Sequence, residues 1–163
     1  MEFLDLAKQR CTTRGFSDTA IPEEDLQKVL SVSRLAPSAC NRQPQRIIVV
    51  REPENLSKVQ KAYKLFGSTC VLIVCRDRRN ELVRPFDNKC SGDLDIGIVC
   101  DHIMLAAREL GIGSVMVGLF DPAIIRKEFD LPEYIEPTVT RLNGNLYATR
   151  LCLSVTAKNK KHK

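Results

Sequence analysis

Apolar and polar positions divide the chain into short segments, each with its own period. Glu2 to Gln9 predicts a short helix, followed by the polar turn Arg10-Cys11-Thr12-Thr13-Arg14-Gly15-Phe16. A second helix starts after Pro22. Glu23, Glu24 and Asp25 fill its first turn, where the helix dipole favours acids, and Leu26, Val29, Leu30 and Ser33 continue it until Pro37 stops it. Arg46 to Val50 is short and β-branched, as a buried strand should be, and Glu54 to Phe66 then has the period of an amphipathic helix. Cys70 to Cys75 predicts another buried strand. Beyond a polar loop through Arg84-Pro85-Phe86-Asp87, the longest helix runs from about Asp93 to Leu110, with Gly111 as its terminator. Ser114 to Gly118 predicts a strand, Pro122 to Glu128 a short helix, and Thr138–Leu142 and Leu151–Val155 two more strands.

The longest helix carries Leu94, Ile96, Ile98, Val99, Ile103, Met104, Leu105, Ala106 and Ala107, so it is apolar on most of its circumference. Such a helix is buried on more than one side, in the middle of a core or between two copies of the chain. An oligomer is therefore expected. The elements follow no strict βαβ repeat, which favours an α+β fold over a doubly wound sheet.

Length and composition narrow the picture. At 163 residues and 44% hydrophobic content the chain fits one domain, expected over residues 1–155, with a basic tail over 156–163. No apolar run approaches the roughly 20 residues that span a bilayer, and residues 1–20 lack the pattern of a secretory signal. The cytoplasm is the expected compartment, and no membrane partner is expected. Of the 25 lysines and arginines, four lie in the tail (Lys158, Lys160, Lys161, Lys163), and the remaining 21 face 20 acids. The bases are scattered among carboxylates, so no nucleic-acid partner is expected. The seven cysteines form no C-x-x-C pair, and their odd number argues against a closed disulfide framework. Most are expected to be reduced core residues, on the model of Cys75 and Cys100 in their apolar runs. Only His102 and His162 are present, and neither H-E-x-x-H nor G-x-S-x-G occurs, so no metal site or serine nucleophile is expected.

Three segments could carry chemistry. In Arg10-Cys11-Thr12-Thr13-Arg14 two guanidinium groups flank a hydroxyl, a donor set suited to a phosphomonoester, although a solvated turn has the same composition. In Ala36-Pro37-Ser38-Ala39-Cys40-Asn41-Arg42-Gln43-Pro44 prolines stiffen a stretch of small residues. Asn41 and Gln43 there offer paired donors and acceptors for a heterocycle edge; the bland alternative is a helix-to-strand loop. The third segment, Gly111-Ile112-Gly113 through Val117-Gly118-Leu119, has glycines that follow a helix and precede a strand, the reverse of the Rossmann order. Backbone N–H groups at Gly118 and Leu119 could face a ligand instead.

Taken together, these segments resemble the FMN-dependent nitroreductase family. Residues 10–16 resemble its R-x-S-x-R-x-F motif and residues 36–44 its A-P-S-x-x-N-x-Q-P motif. The likeness continues through Arg84-Pro85-Phe86-Asp87, Asp93-Leu94-Asp95-Ile96-Gly97-Ile98, Leu105-Ala106-Ala107, Gly111-Ile112-Gly113-Ser114, Gly118-Leu119-Phe120-Asp121 and Leu131-Pro132-Glu133. It covers roughly residues 5–135.

The resemblance implies an α+β fold with a mixed central sheet flanked by helices, in an intertwined homodimer with one FMN at each of two interface sites. Arg10, Thr12 and Arg14, with Cys11 among them, would hold the phosphate and ribityl region or the pyrimidine edge. Pro37, Ser38 and Ala39 of the partner subunit would lie against the flavin, with Asn41 and Gln43 close by, and Val117, Gly118 and Leu119 would bring backbone N–H groups to its N5 and O4. NADH or NADPH would then reduce FMN, and a nitroaromatic, quinone or similar small acceptor would reoxidise it. No side chain need be catalytic, since the flavin carries the chemistry. Gln45 stands where the family often has an aromatic, Cys11 where it often has a base or histidine, and the G-Y-P segment near the C-terminus is missing. Asn143-Gly144-Asn145-Leu146-Tyr147 is its nearest remnant. A non-turning-over FMN store or redox sensor using the thiols is the alternative, and an anion-binding module working through the lysine tail is a third reading.

Overall fold

The structure, a computed structural model, describes residues 2–145, and of these the side chains up to residue 138. The expected strand Leu151–Val155, the tail 156–163 and the domain boundary at residue 155 lie outside the described residues. The elements run α1 (Phe3–Gln9), α2 (Glu23–Ser33), a 3₁₀ turn (Ala39–Asn41), β1 (Gln45–Val50), α3 (Pro53–Ala62) and β2 (Cys70–Asp77). They continue with α4 (Gly92–Glu109), β3 (Ile112–Val117), α5 (Pro122–Glu128) and β4 (Ile135–Asn145).

The strands form one sheet in the order β1-β2-β4-β3, and every ladder is antiparallel. The expected mixing of directions is confined to a single parallel bridge between Thr12 and Ser114. β2, the sequence CVLIVCRD, lies in the middle, and all of it is buried except half-buried Arg76. Its alternate side chains feed two cores. Cys70, Leu72 and Val74 meet Leu26 and Val29 of α2 and Ile96, Val99, Cys100 and Ile103 of α4, while Val71, Ile73 and Cys75 meet Val59 of α3 and Ile125 of α5. With both faces covered, β2 reads as an unbroken apolar run instead of an alternating one. The ladder with β4 slips between Val74 and Cys75, opposite Pro137, which has no N–H to give.

Two expectations need correcting. The helix predicted to reach Phe66 ends at Ala62. There Tyr63 becomes extended (φ −165°, ψ 156°), and Phe66 (φ 54°) and Gly67 (φ 81°) turn the chain through the left-handed region. The apolar positions that mimicked further turns of helix serve this connection: Leu65 is buried, and Tyr63 packs edge-on against Phe66. The cysteines also divide more evenly than expected. Cys70, Cys75 and Cys100 are buried, Cys11 is half-buried, Cys40 and Cys90 are exposed, and none of these six is in a disulfide. Burial pushes the thiol of Cys70 up to about 11 and that of Cys75 up to about 12, which keeps both protonated and inert.

α4 packs against α2, α1 and the sheet, which meets the expectation of burial on more than one side. It keeps one outward stripe, where Leu94 is 69% exposed and Ile98 and Leu105 are half-buried. Beyond Val83, which pairs with Cys90 across a short bridge, residues 84–89 form a turn with Phe86 projecting from it, 93% exposed.

Candidate functional site

The two polar segments singled out in the sequence are positioned by the two ends of α4. Arg10–Arg14 follows α1, and Gln9 Oε1 accepts from Arg108 Nη2 at 3.0 Å, which fastens the end of α1 to the last turn of α4. Thr12 then bridges Ser114, and the Thr13 N–H donates to the Ser114 carbonyl at 3.0 Å, so the turn lies along β3. Buried Val117 is the last residue of β3, and Gly118 and Leu119 follow it, both exposed. Thr12 and Arg14 are exposed and Arg10 is half-buried; neither arginine enters an ion pair among the described residues. Two uncommitted guanidinium forks beside a hydroxyl can bind a phosphate through charge-assisted bonds.

The 36–44 loop is built differently, because several of its polar groups bond to one another. Ser38 Oγ accepts from the Gln43 N–H (2.8 Å), the Asn41 N–H donates to the Ser38 carbonyl (2.9 Å), and the Arg42 N–H to that of Ala39 (3.1 Å). Closing so tight a ring places Cys40 (φ 50°), Asn41 (φ 52°) and Gln43 (φ 46°) in the left-handed region. Non-glycine residues rarely occupy it, and strain of this kind persists only where surrounding contacts impose it. The ends of the loop supply those contacts. The Ala39 N–H donates to Asp95 Oδ1 at 2.9 Å, and the Pro44 carbonyl accepts from the Asp77 N–H at 2.8 Å. Asn41 and Gln43, exposed as a ligand contact requires, are linked to each other by a 3.3 Å bond. Pro37 is exposed, and Ser38 and Ala39 are half-buried.

Asp77 also supports this loop from β2. Its buried carboxylate accepts from Arg79 Nη2 (2.9 Å), Arg79 Nε (3.0 Å), the Arg79 N–H (3.1 Å) and Arg46 Nη2 (3.3 Å), and Arg46 Nη1 donates to the Gln43 carbonyl at 3.2 Å. The Arg79 guanidinium, and after it Arg46, holds the Asp77 carboxyl below the ordinary carboxylate range against the opposing effect of burial. Gln45, which departs from the expected aromatic, opens β1 with a buried Oε1 that has no hydrogen-bond partner among the described residues.

Within the chain the two motifs do not converge. Their anchors, Arg108 and Asp95, are about 20 Å apart along the α4 axis at a rise of about 1.5 Å per residue. The structure brings residues 12–13 alongside β3, close in sequence to 117–119, and holds 38–43 at the opposite end of α4.

Comparison with known proteins places this arrangement. The model of the nitroreductase family matches residues 7–69 and 57–140 of the chain. The chain belongs to the nitroreductase family. A relative from Archaeoglobus fulgidus, provisionally named NADH dehydrogenase/NAD(P)H nitroreductase, is 37% identical over 73% of this chain and 68% of its own length. A solved nitroreductase-family structure from Clostridium difficile 630 is 41% identical, covers 99% of this chain and 100% of its own, and superimposes with a TM-score of 0.88. A nitroreductase from Desulfitobacterium hafniense, solved with bound FMN, shares the fold at TM-score 0.70 and 24% identity, with 90% of each chain covered. The nitroreductase fold thus confirms the α+β assignment.

Two residues to which the motifs of this nitroreductase-family chain assign no role, Asp95 and Asp77, bond directly to the 36–44 loop. Asp95 was visible as an acid on an otherwise apolar helix, buried to 1% exposure, and a buried carboxylate demands partners. Asp77 ends an apolar strand and is buried for the same kind of reason. Among the described residues no cluster of three or more histidine, cysteine or acidic side chains could hold a metal, and no helix is long and apolar enough to cross a membrane.

Proposed function

We propose that this chain is an FMN-dependent NAD(P)H oxidoreductase that works as a homodimer, with each cofactor held between the Arg10–Arg14 turn of one subunit and the 36–44 loop of its partner. The observation that carries this reading is the separation of the two motifs at opposite ends of α4. Each motif offers half of a flavin site, and a second copy is needed to close it. The exposed stripe on α4 around Leu94, with exposed Phe3 and Leu4 of α1, supplies apolar surface for the subunit contact.

The residues present fit FMN. Arg10 and Arg14 have guanidinium groups not engaged in ion pairs among the described residues, and Thr12 adds a hydroxyl, a donor set for the phosphate or the polar edge of the ring. The rigid loop of Pro37, Ser38 and Ala39 presents a small, flat surface against which an aromatic ring system can stack, and the amides of Asn41 and Gln43 can bond its edge. Half-buried Cys11 lines the turn, and Val117, Gly118 and Leu119 bring the end of β3 to the same site. Bound flavin would supply hydride and electron transfer from NADH or NADPH to a nitroaromatic, quinone or similar small acceptor. The name of the Archaeoglobus relative and the FMN in the Desulfitobacterium protein support the donor and the cofactor.

The test is one absorption experiment. Protein mixed with excess FMN and desalted should keep the flavin, sediment as a dimer, and bleach when NADPH or NADH is added without oxygen. Retained flavin that neither donor bleaches would overturn the enzyme reading in favour of a store or sensor; loss of all flavin on desalting would overturn the cofactor.

A further inference from the structure

We infer that Asp95 is a positioning residue that holds the 38–43 loop in shape for the flavin and ties that loop to the 82–91 segment; the inference rests on the site proposed above. Asp95 sits in the first turns of α4 and is 1% exposed. Both carboxylate oxygens are used on neutral donors: Oδ1 accepts from the Ala39 N–H (2.9 Å), 56 residues earlier in the chain, and Oδ2 from Ser91 Oγ (2.7 Å). The same Ser91 hydroxyl oxygen accepts from the Leu82 N–H (3.2 Å), and the Ser91 N–H donates to the Leu82 carbonyl (2.9 Å). One buried carboxylate therefore joins α4, the strained loop and the base of the segment that presents Phe86.

Geometry explains why an acceptor is needed at this position. Ala39 lies inside the ring closed by Ser38 and Gln43, immediately before left-handed Cys40 and Asn41. Its N–H points toward α4, where the Asp95 carboxylate accepts it. Removing that acceptor would free a bond that pins the loop to α4, and the left-handed residues would relax toward commoner conformations.

The experiment compares wild type, Asp95→Ala, Asp95→Asn and Ser91→Ala as full chains. FMN affinity, the visible circular dichroism of bound flavin, and amide exchange at Ala39 in the FMN-free protein are measured. Asp95→Ala should weaken FMN by about tenfold or more, change the dichroism of the flavin that still binds, and accelerate Ala39 exchange. Asp95→Asn keeps an acceptor for Ala39 and should recover most of each. Ser91→Ala should show the same pattern more weakly. A purely structural role would lower the melting temperature alone, so wild-type affinity and dichroism in folded Asp95→Ala overturn the inference. If that variant does not fold, Ser91→Ala with wild-type affinity and exchange does so. Wild-type protein that retains no FMN would instead sink the proposed function, and Ala39 exchange would then decide whether the clamp exists.

Discussion

The Arg10–Arg14 turn and the 36–44 loop are both polar connections of similar length, yet they are stabilised in opposite ways. The first is held to the fold by the bridge to Ser114 and the bond between Gln9 and Arg108, and its arginines enter no ion pair among the described residues. The second uses its polar groups on itself and on two buried aspartates, at the cost of three left-handed residues. The turn therefore supplies charge and the loop supplies shape. Substitutions in the turn should affect ligand affinity and leave the fold alone, whereas substitutions around the loop should affect both.

The largest effect that would break this contrast is on the turn. Replacing Arg10 and Arg14 together by alanine should weaken FMN by about 100-fold or more, as expected for the loss of two charge-assisted contacts, and leave the melting temperature of the FMN-free protein within about 1 °C. Titration of apo protein with FMN beside a thermal melt checks both halves; a large drop in the melting temperature would show that the turn is structural after all.

Next comes Asp77, which supports the loop from β2. Asp77→Asn should cost about 1–3 kcal/mol at pH 7 by urea unfolding. Because its carboxyl titrates below the ordinary range in the folded protein, its stabilisation is complete above the unfolded value of about 3.9 and is lost as pH falls through the folded value. Wild type should therefore lose part of its advantage over Asp77→Asn below about pH 4. A constant difference between pH 3 and pH 7 would sink the assignment.

The smallest effect concerns strain. Glycine tolerates the backbone that Cys40 adopts (φ 50°), so Cys40→Gly should raise stability by about 0.5–1 kcal/mol. No comparable gain is expected from Thr12→Gly in the turn, where the φ is not positive and flexibility is only added. Chemical denaturation of both variants would sharpen or erase the distinction.

Much of this could be read from the chain. β-branched and apolar runs located all four described strands, although β4 is longer than expected, and both motifs fall on the connections where the sequence placed them. What failed has one physical cause, namely that distant contacts override local pattern. Tyr63 and Phe66 continue a helical period but are used to turn the chain over the sheet, and the exposure of Cys40 and Cys90 follows from their loops, not from their residue type. Asp95 could be quoted as part of a motif, but its partner 56 residues earlier leaves no local trace.

The central place of β2 also has a consequence for synthesis. Cys70 to Cys75 is six residues of high β propensity without a charge, and it pairs on one edge with β1, which precedes it, and on the other with β4, which begins at Ile135. While a ribosome makes the intervening stretch, that second edge has no partner and is a template for pairing between nascent chains. A chain interrupted before β4 would thus be more prone to aggregate than one shortened by the same number of residues at its start.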